Sequence, residues 1–158
     1  MMSFQKVGLE YRLQIRKDEF DPIYHYPNIE LQQILARREC EFFIKEGITY
    51  KQLSSGLEEN LFVIYVEIYE ENPIEKPDTS GERIKLEIRE LNALRNHPLI
   101  VTEWLTDHLE VLSKIGSIYT YYDGKEWERD SAEIDEDRKT YVLYVTPTGY
   151  KIPTSEGI

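Results

Sequence analysis

The most apolar run of the chain reads Leu61-Phe62-Val63-Ile64-Tyr65-Val66-Glu67-Ile68-Tyr69. It is too short for a buried helix and rich in β-branched and aromatic residues, which predicts a β-strand. Its first half is apolar on both alternating faces, so that half needs cover on both sides. We therefore predict a strand inside a sheet, whose end from Glu67 onward leaves the core.

Further strands and two helices are predicted on either side of this run. Alternation of apolar and polar residues over 6–16 predicts a half-buried strand. Helical spacing predicts helices over 28–46 and 98–115, with Gly47 and Gly116 as their stops. Asp123-Gly124 predicts a hairpin turn. The remaining predicted strands are 48–53, 84–88, 118–122, 125–129 and 140–146, and the predicted loops are 18–27, 72–81 and 130–138.

Together these elements predict a single-domain α+β protein with an antiparallel or mixed sheet and two long helices. The domain is predicted to cover residues 1–146, and the tail 147–158 has little apolar content and is expected to fray. The order strand, helix, strand, strand occurs twice, which suggests tandem βαββ units. No residue-level repeat accompanies that order, so the suggestion depends on topology alone.

In length, element order and tyrosine content, the chain resembles the GyrI-like effector-binding domains. Twelve tyrosines are present in 158 residues. That family has tandem βαββ modules that hold small ligands between aromatic residues and a buried acid. The resemblance implies a ligand-binding function, and it assigns no role to any single residue.

The composition is strongly acidic, with 30 Asp and Glu against 19 Lys and Arg and a net charge of −11. Such a charge repels nucleic acids and anionic membranes and attracts basic partners. No apolar run approaches the roughly 20 residues that span a bilayer. The first residues lack the apolar segment of a secretion signal, and Cys40 has no second cysteine to pair with. These features predict a cytoplasmic protein.

No constellation for catalysis or metal binding is apparent in the sequence. The three histidines, His25, His97 and His108, do not stand at metal-ligand spacing, and no phosphate-binding glycine motif or EF-hand is present. We predict no metal and no cofactor, and an enzyme is not favoured. His108 lies in the apolar stripe of the second predicted helix, where it either completes the core edge or lines a pocket as an acid or base.

Two further features of the side-chain pattern suggest contacts with a ligand or partner. Aromatic residues concentrate in the C-terminal third, where they either pack across strands or form an exposed binding surface. Arg38 stands between apolar neighbours on the first predicted helix, so it either extends to solvent or pairs with Glu67 or Glu10. The residues predicted to bind a ligand or partner are His108, Trp104, Tyr119, Tyr121, Trp127 and Tyr144.

The first predicted helix carries two apolar stripes on nearly opposite sides. A helix that is apolar on two sides usually has two packing partners, and the sheet can cover only one of them. The second stripe is therefore predicted to contact the second helix or a second subunit. We favour a homodimer interface, because the second helix has a single apolar face that the sheet is expected to cover. The members of the second stripe are Ile29, Ala36, Cys40, Phe43 and Ile44.

The function predicted first is a non-enzymatic cytosolic protein-interaction module with an acidic surface, binding a basic protein or a second copy. The alternative is a small-molecule binding domain with an aromatic pocket. An exposed aromatic surface without a cavity would favour the first function. A concave pocket that contains His108 or a set of aromatic residues would favour the second.

Overall fold

The fold is given by a computed structural model, which describes residues 6–77 and 81–151. Within these residues one mixed sheet contains all the strands, in the order β2-β1-β5-β4-β3-β9-β10-β6-β7, with β8 paired to β9. The strands are β1 (Lys6–Arg16), β2 (Glu19–Glu30), β3 (Phe42–Lys45), β4 (Ile48–Glu58), β5 (Leu61–Glu71), β6 (Ile84–Glu90), β7 (Leu99–Leu105), β8 (Tyr119–Tyr122), β9 (Lys125–Asp135) and β10 (Thr140–Lys151). The helices are α1 (Leu31–Arg38), α2 (His108–Ile115) and a 3₁₀ turn, Ala93–Arg95.

Strand β5, predicted from the most apolar run, lies inside the sheet as expected. It pairs in parallel with β1 and antiparallel with β4. Val63, Ile64 and Val66 are at most 1% exposed, whereas Ile68 and Tyr69 are 55% and 56% exposed. The prediction of a buried first half and an end that leaves the core is confirmed.

The core lies between the two α-helices and one face of the sheet. α1 packs against α2 and against β1 and β2, while α2 also contacts β6 and β7. Ile34 of α1 and Val111 of α2 are fully buried, as are Leu9 of β1, Leu86 of β6 and Leu143 of β10. The α+β class and the mixed sheet are therefore as predicted, although strands account for most of the chain.

Both helices have only 8 residues, so the prediction of two long helices is wrong. The C-terminal part of the first predicted helix folds as β3, which turns into β4 through Glu46 and Gly47 with φ of 53° and 77°. Gly47 thus serves a left-handed hairpin turn, where glycine is favoured, and not a helix end.

The second predicted helix begins, in fact, with a strand. β7 takes up Leu99–Leu105, whose Ile100 and Val101 are β-branched and favour extended backbone. Asp107 then starts α2, because its Oδ1 accepts a hydrogen bond from the backbone N–H of Glu110 at 2.8 Å.

Three segments predicted as loops or tail belong to strands. Residues 18–27 fall largely in β2, an edge strand that tolerates Pro22 and Pro27 because one side of it needs no hydrogen bonds. β9 continues to Asp135, inside the predicted acidic loop. β10 continues past residue 146 to Lys151, which pairs with Lys125, and residues 152–158 lie outside the described part of the chain.

The chain consists of two halves with the same topology. The first half, β1 to β5 with α1, has its first strand antiparallel to the second and parallel to the fifth. The second half, β6 to β10 with α2, repeats both pairings and the antiparallel ladders of its last strands. The structure does not confirm βαββ units, since each half reads ββαβββ.

This register also reveals a residue-level repeat that the sequence alone did not show. When β1 and β6 are aligned by their parallel partner strands, two similar sequences coincide. They are Leu9-Glu10-Tyr11-Arg12 of β1 and Leu86-Glu87-Ile88-Arg89 of β6. Those partners are Phe62-Val63-Ile64-Tyr65-Val66 of β5 and Tyr141-Val142-Leu143-Tyr144-Val145 of β10. In both halves the arginine Nε donates to the glutamate Oε1 at 3.0 Å.

Bulges and hairpin turns of the first half recur in the second half. Each pair is separated by the same number of residues as Leu9 and Leu86, which we call the constant offset. β4 bulges at Leu53 and β9 at the equivalent Asp130. The hairpin turn at Glu46 and Gly47 recurs at Asp123 and Gly124, again with positive φ in both residues. Because bulges and left-handed turns are specific backbone choices, their coincidence supports a duplicated unit.

No helix among the described residues is long and apolar enough to cross a membrane.

Candidate functional site

A cleft of about 530 Å³ lies where the two halves meet, beside the N-terminus of α2. The first half contributes the end of β2 and the inner side of α1. The second half contributes the start of α2, the β9–β10 turn and the start of β10. The lining residues are His25, Tyr26, Pro27, Asn28, Ile29, Gln33, Arg37, Arg83, Ile84, His108, Ile134, Glu136, Lys139 and Tyr141.

Arg37, in the last turn of α1, is the buried cation of this cleft, with 4% of its surface exposed. Its Nη1 donates to Tyr11 Oη and to Glu136 Oε2, each at 3.2 Å. The guanidinium carbon lies 4.9 Å from the ring centre of Tyr26, a cation–π distance. Burial opposes its charged form, but Tyr11, Tyr141 and Glu136 outweigh burial and raise the pKa of Arg37 above its ordinary value. The residue therefore stays charged.

Glu136 is the counter-ion, and it is shared. Lys45 Nζ lies 3.0 Å from Glu136 Oε1, and the Tyr26 hydroxyl donates to Oε2. Burial raises the pKa of Glu136, but Arg37 and the hydrogen bonds from Tyr26 and Lys45 hold it below its ordinary value. Two cations thus face one carboxylate, which leaves one positive charge in excess.

Two polar atoms at this site are buried without a hydrogen-bond partner among the described residues. They are Arg37 Nε and Tyr141 Oη. Tyr141 is 2% exposed, and burial raises the pKa of its phenol, so the hydroxyl carries its proton. A buried donor without an acceptor costs about 1–3 kcal/mol. Both atoms belong to residues that line the cleft.

His108, at the N-terminus of α2, lines the same cleft. Its ring lies edge-on to that of Tyr141, with 5.8 Å between ring centres. Burial and then the charge of Arg37 lower the pKa of His108 to about 4. At neutral pH it is an uncharged ring that offers one donor and one acceptor nitrogen.

Cavities of about 430 Å³ and 300 Å³ lie on the opposite face of the sheet. Both are lined by Thr49, Glu70, Glu133 and Tyr144. Burial, followed by the neighbouring Asp135, raises the pKa of Glu133 to about 7. No group of three or more potential metal ligands is present in residues 6–77 and 81–151.

The six residues predicted to bind a ligand or partner do not converge. Only His108 lines the cleft, while Trp104, Tyr119 and Tyr121 are 38%, 50% and 49% exposed. Trp127 belongs to the core, and Tyr144 lines the cavities of the opposite face. The aromatic residues of the C-terminal third are thus divided between core and surface.

The five residues predicted as a dimer interface do not form an exposed stripe. Ile29, Ala36, Cys40 and Phe43 are all less than 9% exposed and belong to the core of one chain, and Ile44 lies half-buried in β3. The premise of the interface was one long helix, whereas these residues come from β2, α1, β3 and the connection between them. Self-association remains an untested prediction without a surface assigned to it.

The decisive residue of the cleft, Arg37, was not singled out from the sequence. The sequence pattern marks Arg38 as the anomalous cation, yet Arg38 is exposed and Arg37 is buried. The partners Tyr11, Lys45, Glu136 and Tyr141 are distant in sequence, so no local spacing marks them as a set. Arg37 lies against Tyr11 of β1, Tyr26 of β2 and Phe43 of β3, and the sequence pattern does not predict that these strands converge on it.

Comparisons with protein-family models, with curated proteins and with solved structures find no match.

Proposed function

We propose that the protein binds a small organic anion in the cleft between its halves. The observation that carries this proposal is the pair of buried, unpartnered donors, Arg37 Nε and Tyr141 Oη. A carboxylate oxygen that accepts from both would remove the cost of their burial, and charge-assisted hydrogen bonds are about twice as strong as neutral ones. The cation excess at Arg37 and Lys45 favours an anion over a neutral ligand.

The size and the remaining walls of the cleft support an organic ligand. Its volume, about 530 Å³, lies in the range of roughly 300–1,000 Å³ usual for small-molecule sites. Ile29, Ile84 and Ile134 supply apolar surface, and the rings of Tyr26 and His108 supply aromatic surface. An aromatic or branched carboxylate matches both the apolar walls and the donors.

Titration with benzoate, followed by amide chemical shifts, tests the proposal. We expect shifts at residues 26, 28, 29, 37, 108 and 141, and weaker binding of benzamide, which has the same shape without the charge. Benzylamine, a cation, should not bind. If benzamide binds as tightly as benzoate, or if no cleft residue shifts, the anion site is wrong.

Tyr141→Phe removes one donor and leaves the fold intact, because the lost hydroxyl has no partner among the described residues. We expect benzoate affinity to fall about 10- to 150-fold, the value of a hydrogen bond to a charged group. Tyr122→Phe is the matched control, since Tyr122 bonds Glu103 and does not line the cleft. Equal losses in the two variants would contradict a direct contact.

A cytoplasmic location is part of the proposal, supported by the single buried thiol of Cys40. The protein-interaction function predicted first from the sequence is a second candidate. The exposure of Tyr119 and Tyr121 on β8 favours it.

A further inference from the structure

The halves are joined by backbone pairing at one seam, and the equivalent second seam is open. At the closed seam, β3 pairs in parallel with Glu133–Asp135 of β9. By the constant offset, the equivalent of β3 is Tyr119–Tyr121 of β8, and the equivalent of the β9 segment is Gly56–Glu58 of β4. Within residues 6–77 and 81–151 these two strands share no pairing, since β4 pairs only with β3 and β5, and β8 only with β9.

Apolar side chains are exposed along this open seam. Leu57 of β4 is 58% exposed, whereas its equivalent at the closed seam, Ile134, is 5% exposed. On the other side, Ile118 is 56% exposed beside Tyr119 and Tyr121 of β8. A free strand edge with exposed apolar residues is a site for pairing with another chain.

The charges around the open seam are negative. Glu126 and Glu128 pair directly with Tyr121 and Tyr119 in the β8–β9 ladder, and Glu59 follows the end of β4. None of these three carboxylates has a salt bridge within the described residues. Their charge adds to a chain whose net charge is −11, which disfavours a second copy as the occupant.

We propose that the open seam binds an extended segment of a partner protein, alternating β-branched and basic residues, as an added strand beside β4. Backbone hydrogen bonds to the free edge of β4 supply affinity, and the β-branched side chains contact Leu57 on its face of the sheet. The basic side chains face the carboxylates of β9. This site is separate from the cleft and does not depend on the proposed anion binding.

A short peptide of alternating valine and lysine, titrated into the full chain, tests the proposal. We expect its amide shifts to map to residues 53–58 and 118–122, and the amides of β4 to become protected from hydrogen exchange. Leu57→Lys should weaken binding at least about tenfold by removing an apolar contact and adding like charge. Leu94→Lys is the matched control, because Leu94 is 99% exposed in the 3₁₀ turn.

Several results would overturn this site. Binding of a valine–glutamate peptide at equal strength would remove the charge argument, and shifts confined to β2 or β7 would place the added strand at an outer edge. No binding up to about 1 mM would exclude even a weak site. Concentration-dependent dimerisation that protects β4 without peptide would make a second copy the occupant.

Discussion

The two halves of the molecule share their strand pairings, the bulges at Leu53 and Asp130 and the hairpin turns at Gly47 and Gly124, and they differ where one half meets the other. At the cleft, Arg37 and Tyr141 leave two donors unsatisfied. The equivalent of Arg37 is Lys114, whose Nζ lies 3.2 Å from Glu103 Oε2. The equivalent of Tyr141 is Phe62, whose side chain has no polar atom. The first arrangement leaves two donors for the proposed anion, and the second leaves none.

The seams differ in the same way, because β3 closes one and β8 leaves the other open. The contrast indicates that the strand pairing inside each half is kept, while the two contacts between the halves can differ. Buried strands must fill the same space in both halves, whereas an interface residue is constrained only by its own neighbours. Four measurements test this contrast.

Paired truncations in the parallel strands should have the largest effect. Ile64→Ala and Leu143→Ala remove side chains that are 1% and 0% exposed at equivalent positions. We expect each to lower the free energy of unfolding by about 2–5 kcal/mol in a denaturant melt. Lys125→Ala, beside the hairpin turn, should stay within about 0.5 kcal/mol. A loss below about 1 kcal/mol in only one half would show that the halves are not packed alike.

The two seams should respond unequally to one substitution. Ile134→Ala empties a core site and should cost about 2–4 kcal/mol. Leu57→Ala, at the equivalent position, should stay within about 0.5 kcal/mol because Leu57 already faces solvent. Thermal or denaturant unfolding of both variants measures the difference. Equal costs would mean that the open seam is closed in solution.

Glu133 should make stability depend on pH in a way that its first-half equivalent, Gly56, cannot. Its folded pKa is raised to about 7, so its contribution is present below its ordinary pKa and is lost as pH rises through 7. As pH rises from 5 to 8, the free energy of unfolding of Glu133→Gln should therefore fall by about 2–3 kcal/mol less than that of the wild type. Parallel stability curves for the two proteins would contradict the buried carboxyl.

Tyr141→Phe should have the smallest effect on stability. It gives the second half the phenyl ring that the first half has at Phe62, and it removes a hydroxyl without a partner among the described residues. We expect the free energy of unfolding to stay level or rise by up to about 1 kcal/mol. A loss above about 1 kcal/mol would show that the hydroxyl has a stabilising contact.

The strands were the predictable part of this fold, and the helices were not. In β5, β6 and β10 the apolar residues either alternate with polar ones or occupy both faces, and these patterns identify the strands directly. Phe42, Phe43 and Leu99–Leu105 fit helical spacing equally well, and β-sheet partners far along the chain decided their conformation. The prolines of β2 indicate a loop unless the strand is known to lie at an edge.

The candidate site was less predictable than the fold. His108 was recognised because a polar ring interrupted an apolar stripe, and it does line the cleft. Arg37 gives no such signal, because helical spacing places it on a polar arc with Glu41 and Lys45. Its neighbours in space are Tyr11 of β1, Tyr26 of β2 and Glu136 of the β9–β10 turn. The repeat was missed because it survives in the buried strands and has been lost from the helices and their connections.

The three-residue ladder between β3 and β9 has a consequence for folding. Within the described residues it is the only strand pairing that links the halves, while each half closes its own first strand onto its last. Each half can therefore complete its sheet from contacts within its own sequence. The loops that must close before these strands pair are then short, so less conformational entropy is lost. Association of two preformed units would then be the late step, and opening at β3–β9 the first event detected by native-state hydrogen exchange.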